Sequence, residues 1–178
     1  MQSDKFTALV RNAIGAAQSA ALAANHQKLT AEHVLAALLK DDNMTVKMLL
    51  AKAGADSASL SALLKAALDK FPQVTGSGAG QLQLDADLAR IFAAVEAEAK
   101  ARHDQFIAVD LLLLAMTKST GSVGKILKKA GVEPAPLGAA IDEMRKGRTA
   151  DSDAAEDSYD ALSRYTSDLT EAARNGKL

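Results

Sequence analysis

Apolar residues recur at helical spacing along most of this chain. Phe6, Val10, Ala13, Ile14, Ala17 and Ala21 share one face of a first predicted helix. Ser3 stands where a cap belongs, and Asp4 places a negative charge in the first turn, which suits the helix dipole. A second helix follows Thr30 as its cap, with Glu32 in the first turn and Val34, Leu35, Leu38 and Leu39 behind it. A third runs from about Met44 to Ala53 and stops at Gly54. A fourth starts near Ser57 or Ser59 and carries Leu60, Leu63, Leu64 and Leu68 to Phe71. Pro72 ends it, because the residue before a proline avoids helical geometry.

The same pattern returns further on. A shift of 78 positions carries Phe6, Val10, Ala13, Ile14, Ala17 and Ala21 onto Leu84, Leu88, Ile91, Phe92, Val95 and Ala99. It also carries Glu32 onto Asp110, Leu35 onto Leu113 and Ala37 onto Ala115. At a shift of 77, Val46, Leu50, Lys52-Ala53-Gly54 and Leu60 meet Val123, Leu127, Lys129-Ala130-Gly131 and Leu137. The chain therefore reads as two copies of a four-helix unit, an all-α fold with approximate twofold symmetry. Each copy of about seventy residues is marginal alone, so the copies are expected to pack together. Leu111 to Met116 is apolar all round, and such a helix belongs at the centre.

Composition supports a helical, globular chain. Of 178 residues, 38 are Ala and 24 are Leu, while aromatics make up 3% and prolines number three. That balance disfavours an all-β sandwich or barrel. Cysteine is absent, which excludes a disulfide scaffold and a thiolate site. The net charge of −1 and the scarcity of aromatics give no support for nucleic-acid binding. No apolar run approaches the ~20 residues of a membrane span, and the amino terminus lacks a secretory pattern, so a cytoplasmic location with no membrane partner is expected. Charge is uneven along the chain. Up to residue 148 there are 18 basic and 15 acidic residues; beyond it there are 3 and 7. Asp151, Asp153, Glu156, Asp157 and Asp160 with small neighbours read as a solvated linker. Tyr159, Leu162, Tyr165, Leu169 and Ala173 then mark a further amphipathic helix with no evident partner in this chain.

Candidate chemistry is sparse. Gly76-Ser77-Gly78-Ala79-Gly80 follows a helix and Pro72, so it reads as a flexible connector and not as a phosphate cradle. The nucleotide-binding pattern GxxxxGK[ST] is absent, and no cofactor is expected in this chain. His26, His33 and His103 lack metal-ligand spacing. Nothing brings a nucleophile, a base and an acid together, so this chain is not expected to be an enzyme. Thr7, Glu32, Asp104 and Asp110 carry what information there is. Glu32 and Asp110 are symmetry-related acids at helix starts. They serve either as caps that offset the helix dipole or as a polar rim beside an apolar groove.

Phe6-Thr7, Leu29-Thr30-Ala31-Glu32-His33-Val34-Leu35 and Ile126-Leu127-Lys128-Lys129-Ala130-Gly131, set in two four-helix repeats, resemble the N-terminal domain of the Clp/Hsp100 chaperones. Residues 165–178 resemble the start of the first AAA+ ATPase module of the ClpB-type disaggregases, and Phe71-Pro72-Gln73-Val74 also looks like that branch. The resemblance divides the chain into a first repeat (1–72), an inter-repeat loop (73–83), a second repeat (84–147), an acidic linker (148–157) and a helix leading into the ATPase module (158–178).

The resemblance also implies a role. Such proteins are hexameric, ATP-dependent disaggregases that cooperate with the DnaK system, and their N-domain engages unfolded or aggregated clients. ATP and magnesium would then belong to ATPase modules beyond this chain. By position, Thr7, Asp104 and Asp110 match polar residues tied to chaperone function, and Phe92 and Leu111 match apolar residues near the peptide groove. Ala94 implies a shallower groove than in some relatives. Ile107-Ala108-Val109 lacks the hydroxyl cap that relatives often carry, which leaves Asp110 to cap its helix. The alternative implied role is that of a regulatory domain like those of the ClpC branch, where Glu32 and Asp110 would help to bind an adaptor or phosphorylated arginine.

Overall fold

The computed structural model describes residues 3–41, 44–159 and 171–176. Eight α-helices dominate it: α1 (Ala8–Ala23), α2 (Ala31–Lys40), α3 (Met44–Lys52), α4 (Ser57–Asp69), α5 (Ala86–Ala101), α6 (Val109–Lys118), α7 (Ser122–Lys129) and α8 (Pro134–Arg145). The repeat register holds at the level of backbone. Helices α1 and α5 are offset by 78 residues over their whole length, as are α2 and α6. The turns after α1 and α5 place Asn25 and His103 in the left-handed region at matching positions, with φ of 57° and 62°.

Two short pairings fasten the repeats. Strand β1 (Lys28–Leu29) runs parallel to β2 (Gln83–Leu84), with Leu29 opposite Leu84. Its symmetry mate is the parallel bridge between Phe6 and Ile107. Each repeat therefore donates its first extended residue to the other repeat. Packing follows the same logic: α3 lies on α8 and α4 on α7. Gly54 and Gly131 meet where the repeats cross. Both have φ near +90°, and a Cβ on Gly131 would sit 3.1 Å from the Gly54 carbonyl oxygen, so a side chain is unwelcome there.

Helix α6 runs through the middle, and every residue from Leu111 to Met116 is buried. Around it close α5, α7, α8 and the other repeat's α3. This matches what an all-apolar helix requires.

Two sequence expectations are corrected, and a third is refined. The first helix does not start at Ser3. Residues Ser3–Lys5 form a 3-10 turn, Phe6 is extended against Ile107, and Thr7 is the cap, its hydroxyl accepting from the Val10 amide at 3.4 Å. A cross-repeat pairing overrides a good local cap signal. The connector over 73–83 is pinned at its ends, by a bridge from Gln73 to His26 and by β2. The acidic stretch at 148–157 is not a solvated linker in this structure. Ala150, Ala155 and Glu156 are buried, and Tyr159 after them is buried too. The small residues that suggested flexibility are what let this segment approach the body closely. Of the tail helix, residues 155–159 and 171–174 are helical, while Leu162, Tyr165 and Leu169 lie outside the described residues.

Candidate functional site

Three of the four polar residues singled out in the sequence meet at one corner of the second repeat; the fourth, Glu32, lies buried in the first turn of α2 in the first repeat. Asp104 lies just past the left-handed turn after α5, Asp110 lies in the first turn of α6, and Arg145 closes α8. The Arg145 guanidinium forks between the two acids. Nε donates to Asp110 Oδ2 and Nη2 to Asp110 Oδ1 at 2.9 Å, while Nη1 reaches both oxygens of Asp104 at 2.9–3.0 Å. All three side chains are almost wholly removed from solvent. Burial opposes the charge on Arg145, but the hydrogen bonds and charge of Asp110 outweigh it and raise its pKa above the usual range. The Tyr159 ring lies 5.4 Å from the guanidinium carbon, in cation–π range. Burial pushes the Tyr159 hydroxyl up to about 12, and that hydroxyl has no hydrogen-bond partner among the described residues.

Thr7 meets this corner from the other repeat. Its hydroxyl donates to Glu156 Oε1 at 2.6 Å, and the same oxygen accepts from the Val109 amide at 2.9 Å. Glu156 is therefore the acceptor at the start of α6, where Ala108 has no side chain to offer. The expectation that Asp110 would cap this helix is corrected. Asp110 accepts from the adjacent Leu111 amide at 2.8 Å but spends both oxygens on Arg145. Burial raises the Glu156 pKa, with the nearby Asp110 charge adding to it and the Thr7 and Val109 hydrogen bonds acting against it.

Of the five predicted site residues, the structure holds Asp104 and Asp110 together on Arg145 and ties Thr7 to Glu156, and the two clusters feel each other through the charges of Glu156 and Asp110. Phe92 stands apart from the polar network and packs on Phe6, ring centroids 5.6 Å apart. Leu111 is fully buried in the core. None of the five is open to solvent on a groove wall, whereas Ala94 is exposed. Asp110, which the phospho-arginine alternative needs, already holds a guanidinium of this chain. Sequence reading missed Arg145 and Glu156. The one signal for Glu156 was the missing hydroxyl at Ala108, which demanded a cap from elsewhere.

The matching corner of the first repeat is built differently. A shift of 78 carries His26 onto Asp104, and a shift of 77 carries Leu68 onto Arg145. Here His26 Nδ1 and His33 Nε2 lie 2.8 Å apart beneath Phe71. The Thr30 amide donates to His33 Nδ1 at 3.1 Å, which assigns the His33 proton to Nε2 and makes it the donor to His26. Burial, then the nearby His26, lowers the His33 pKa to about 4. Helical spacing could not reveal this pair, because His26 sits in the turn before β1. Among the described residues no group of three or more His, Asp or Glu is placed to hold a metal, and no helix is long and apolar enough to cross a membrane. An open, mainly apolar cleft of about 390 Å³ lies where α1 and α2 meet the end of α4, lined by alanines of α1 and α2 and by Leu68, with Asn12, His33, Lys40 and Asp41 also on its walls.

The sequence profile of the Clp repeat (R) N-terminal domain matches residues 5–159. The chain belongs to this family. As a Clp N-domain it is 45% identical over its whole length to the chaperone protein ClpB of Rhodopseudomonas palustris, of which it covers 20%. It is 35% identical to ClpB of Rickettsia typhi, again over its whole length and 21% of that protein. The chain thus spans about a fifth of the length of the curated relatives it matches. Among solved structures, the Hsp104 N-terminal domain of Candida albicans superposes with a TM-score of 0.75 at 21% identity, covering 85% of this chain and 99% of that one. A ClpV N-domain in complex with a VipB peptide superposes with a TM-score of 0.61 at 16% identity, covering 78% of this chain and 86% of that one. These structural likenesses bear on the fold: two Clp repeats in an all-α, pseudo-twofold body. The family match also includes residues 148–159, the segment that carries Glu156 and Tyr159.

Proposed function

We propose that this Clp N-domain is the client-engaging part of an ATP-dependent, ClpB-type disaggregase, and that it transiently holds apolar segments of unfolded or aggregated polypeptides. The observation that carries this reading is the match of the whole chain to ClpB relatives. The peptide held by the related ClpV N-domain supports the same kind of ligand. A hexameric assembly, cooperation with a DnaK system, and ATP and magnesium in separate ATPase modules complete the reading for the full protein. Binding should be weak, because a domain that must release varied clients cannot demand close complementarity.

Two surfaces can serve. One is the α1–α2 cleft, open and mainly apolar. The other is the seam between the repeats around Thr7, Phe92, Asp104, Asp110 and Leu111, which is closed in this structure and has to open to admit a client. A two-dimensional amide NMR titration with a reduced, carboxymethylated and permanently unfolded protein separates them. Shifts clustered at Thr7, Phe106 and Val109 place the client on the seam; shifts at Ala16, Ala20 and Ala36 place it in the cleft. An unchanged spectrum at high client concentration overturns direct client binding.

A further inference from the structure

We propose that residues 148–159 are a releasable strap that occupies the repeat seam as a peptide would, and that a client polypeptide binds the seam by displacing it. This deepens, and rests on, the client-binding reading above.

The strap is held largely through its main chain. The Ala150 carbonyl accepts from the amides of Gln105 and Phe106, both at 3.0 Å, and the Asp153 carbonyl accepts from the Ala8 amide at 2.8 Å. The Ala150 amide donates to Asp104 Oδ1 at 2.9 Å. Such contacts read a backbone and not a sequence, which is what a surface for varied clients needs. Three side chains complete the grip, one of them Asp153, which pairs with Arg11 at 3.5 Å. Glu156 takes the Thr7 hydroxyl and the Val109 amide, and Tyr159 lies against Arg145. Two of the three polar residues that the family resemblance marked, Thr7 and Asp104, are thus engaged by this one segment, and the third, Asp110, is held by the Arg145 on which Tyr159 lies.

The grip has weak points. Glu156 is a carboxylate only 2% exposed, and burial works against its ionised form. Tyr159 is 1% exposed, and its hydroxyl is unsatisfied among the described residues. Residues 151–154, between the anchors, face solvent. A space of about 500 Å³ is lined by Arg148, Asp151, Ala155 and Tyr159. Lifting the strap returns Glu156 and the Tyr159 hydroxyl to water. It also frees the Ala8, Gln105, Phe106 and Val109 amides and the Thr7 hydroxyl as donors for the carbonyls of an extended client. Asp104, Asp110 and Arg145 then form a polar wall beside them.

Two variants of the full chain should move the strap in opposite directions. Glu156→Ala removes an anchor. Tyr159→Phe removes the unsatisfied hydroxyl and keeps the ring, so it should tighten docking while leaving the fold intact. Amide hydrogen exchange reads the strap through Ala8, Phe106 and Val109. Titration with the carboxymethylated client reads the seam. Exchange at those amides should quicken in Glu156→Ala, with client affinity rising up to ~10-fold as the competent fraction grows, and both should fall in Tyr159→Phe. If these amides exchange as slowly as the centre of α6 in both variants, the strap is a fixed part of the body and the proposal fails. It also fails if exchange responds while client affinity is the same in both variants. Exchange that responds while no variant binds the client overturns the client reading itself, leaving a strap that only caps α6.

Discussion

Glu156 accepts the amide hydrogen of Val109 at 2.9 Å, although the two residues lie 47 positions apart. A helix start that most chains cap from the preceding residue is here capped from a distant segment. Thr7, which caps α1 by accepting from Val10, donates its own hydroxyl hydrogen to the same carboxylate oxygen, so one acceptor ties the α1 cap to the first amide of α6. Thr7→Val keeps the shape and removes the hydroxyl. It should cost about 1–2 kcal/mol in urea denaturation, as the sum of a weak cap and a buried hydrogen bond. Thr7→Ser should recover most of that loss.

Arg145 balances two buried acids. Arg145→Met leaves Asp104 and Asp110 facing each other without a counter-charge and should destabilise the domain by about 3–5 kcal/mol. Thermal unfolding should fall by roughly 10 °C, given about 2–4 °C per kcal/mol for a chain of this size. Replacing all three residues together by apolar ones of similar volume should cost far less than the single change. A single change as mild as the triple would show that the ion network does not hold this corner.

The repeats are symmetric in backbone and unequal in energy. Phe6 and Leu84 occupy equivalent positions in the two cross-repeat pairings, yet Phe6 is 5% exposed and Leu84 53%. Phe6→Ala should cost about 3–5 kcal/mol through lost packing on Phe92. Leu84→Ala should cost under about 1 kcal/mol, since little of its side chain leaves water on folding. Equilibrium denaturation of the two variants checks the contrast.

His33 gives the fold an acid limit. Its folded pKa of about 4 lies below the ordinary 6.5. The unfolded chain therefore binds a proton that the folded chain refuses, and stability falls as pH drops through that window. The loss should reach about 1–3 kcal/mol by pH 4. His33→Gln should flatten the profile between pH 6.5 and 4, and a variant with unchanged slope would assign the acid sensitivity to another group.

Much of the fold was legible because its signals are local and repeated. The shift of 78 positions aligned α1 with α5 and α2 with α6, and Thr30 and Gly54 marked real boundaries, while α4 stops at Asp69, short of the expected Phe71. The misreadings share one physical cause, which is long-range pairing. Ser3 and Asp4 satisfy every local rule for a helix start, yet Phe6 is extended because Ile107 pairs with it. Residues 148–157 are acidic and small, which is how a tether reads. What seats them is a set of amides and a hydroxyl from elsewhere in the chain. The site was half legible: the resemblance marked Thr7, Asp104 and Asp110, but their partners, Glu156 for Thr7 and Arg145 for the two acids, carry no local pattern.

The crossed pairing of Phe6 with Ile107 and of Leu84 with Leu29 also sets an order of assembly. The second pairing closes a loop of roughly 55 residues, the first a loop of roughly 100, so the Leu29–Leu84 clasp meets the smaller entropic barrier. During synthesis the first repeat emerges with Phe6 unmatched and Leu29 waiting for Leu84. The amino terminus finds its place only once the turn before α6 has been made. Neither repeat is a finished folding unit, and the chain should reach its native state in one cooperative step that joins its two halves.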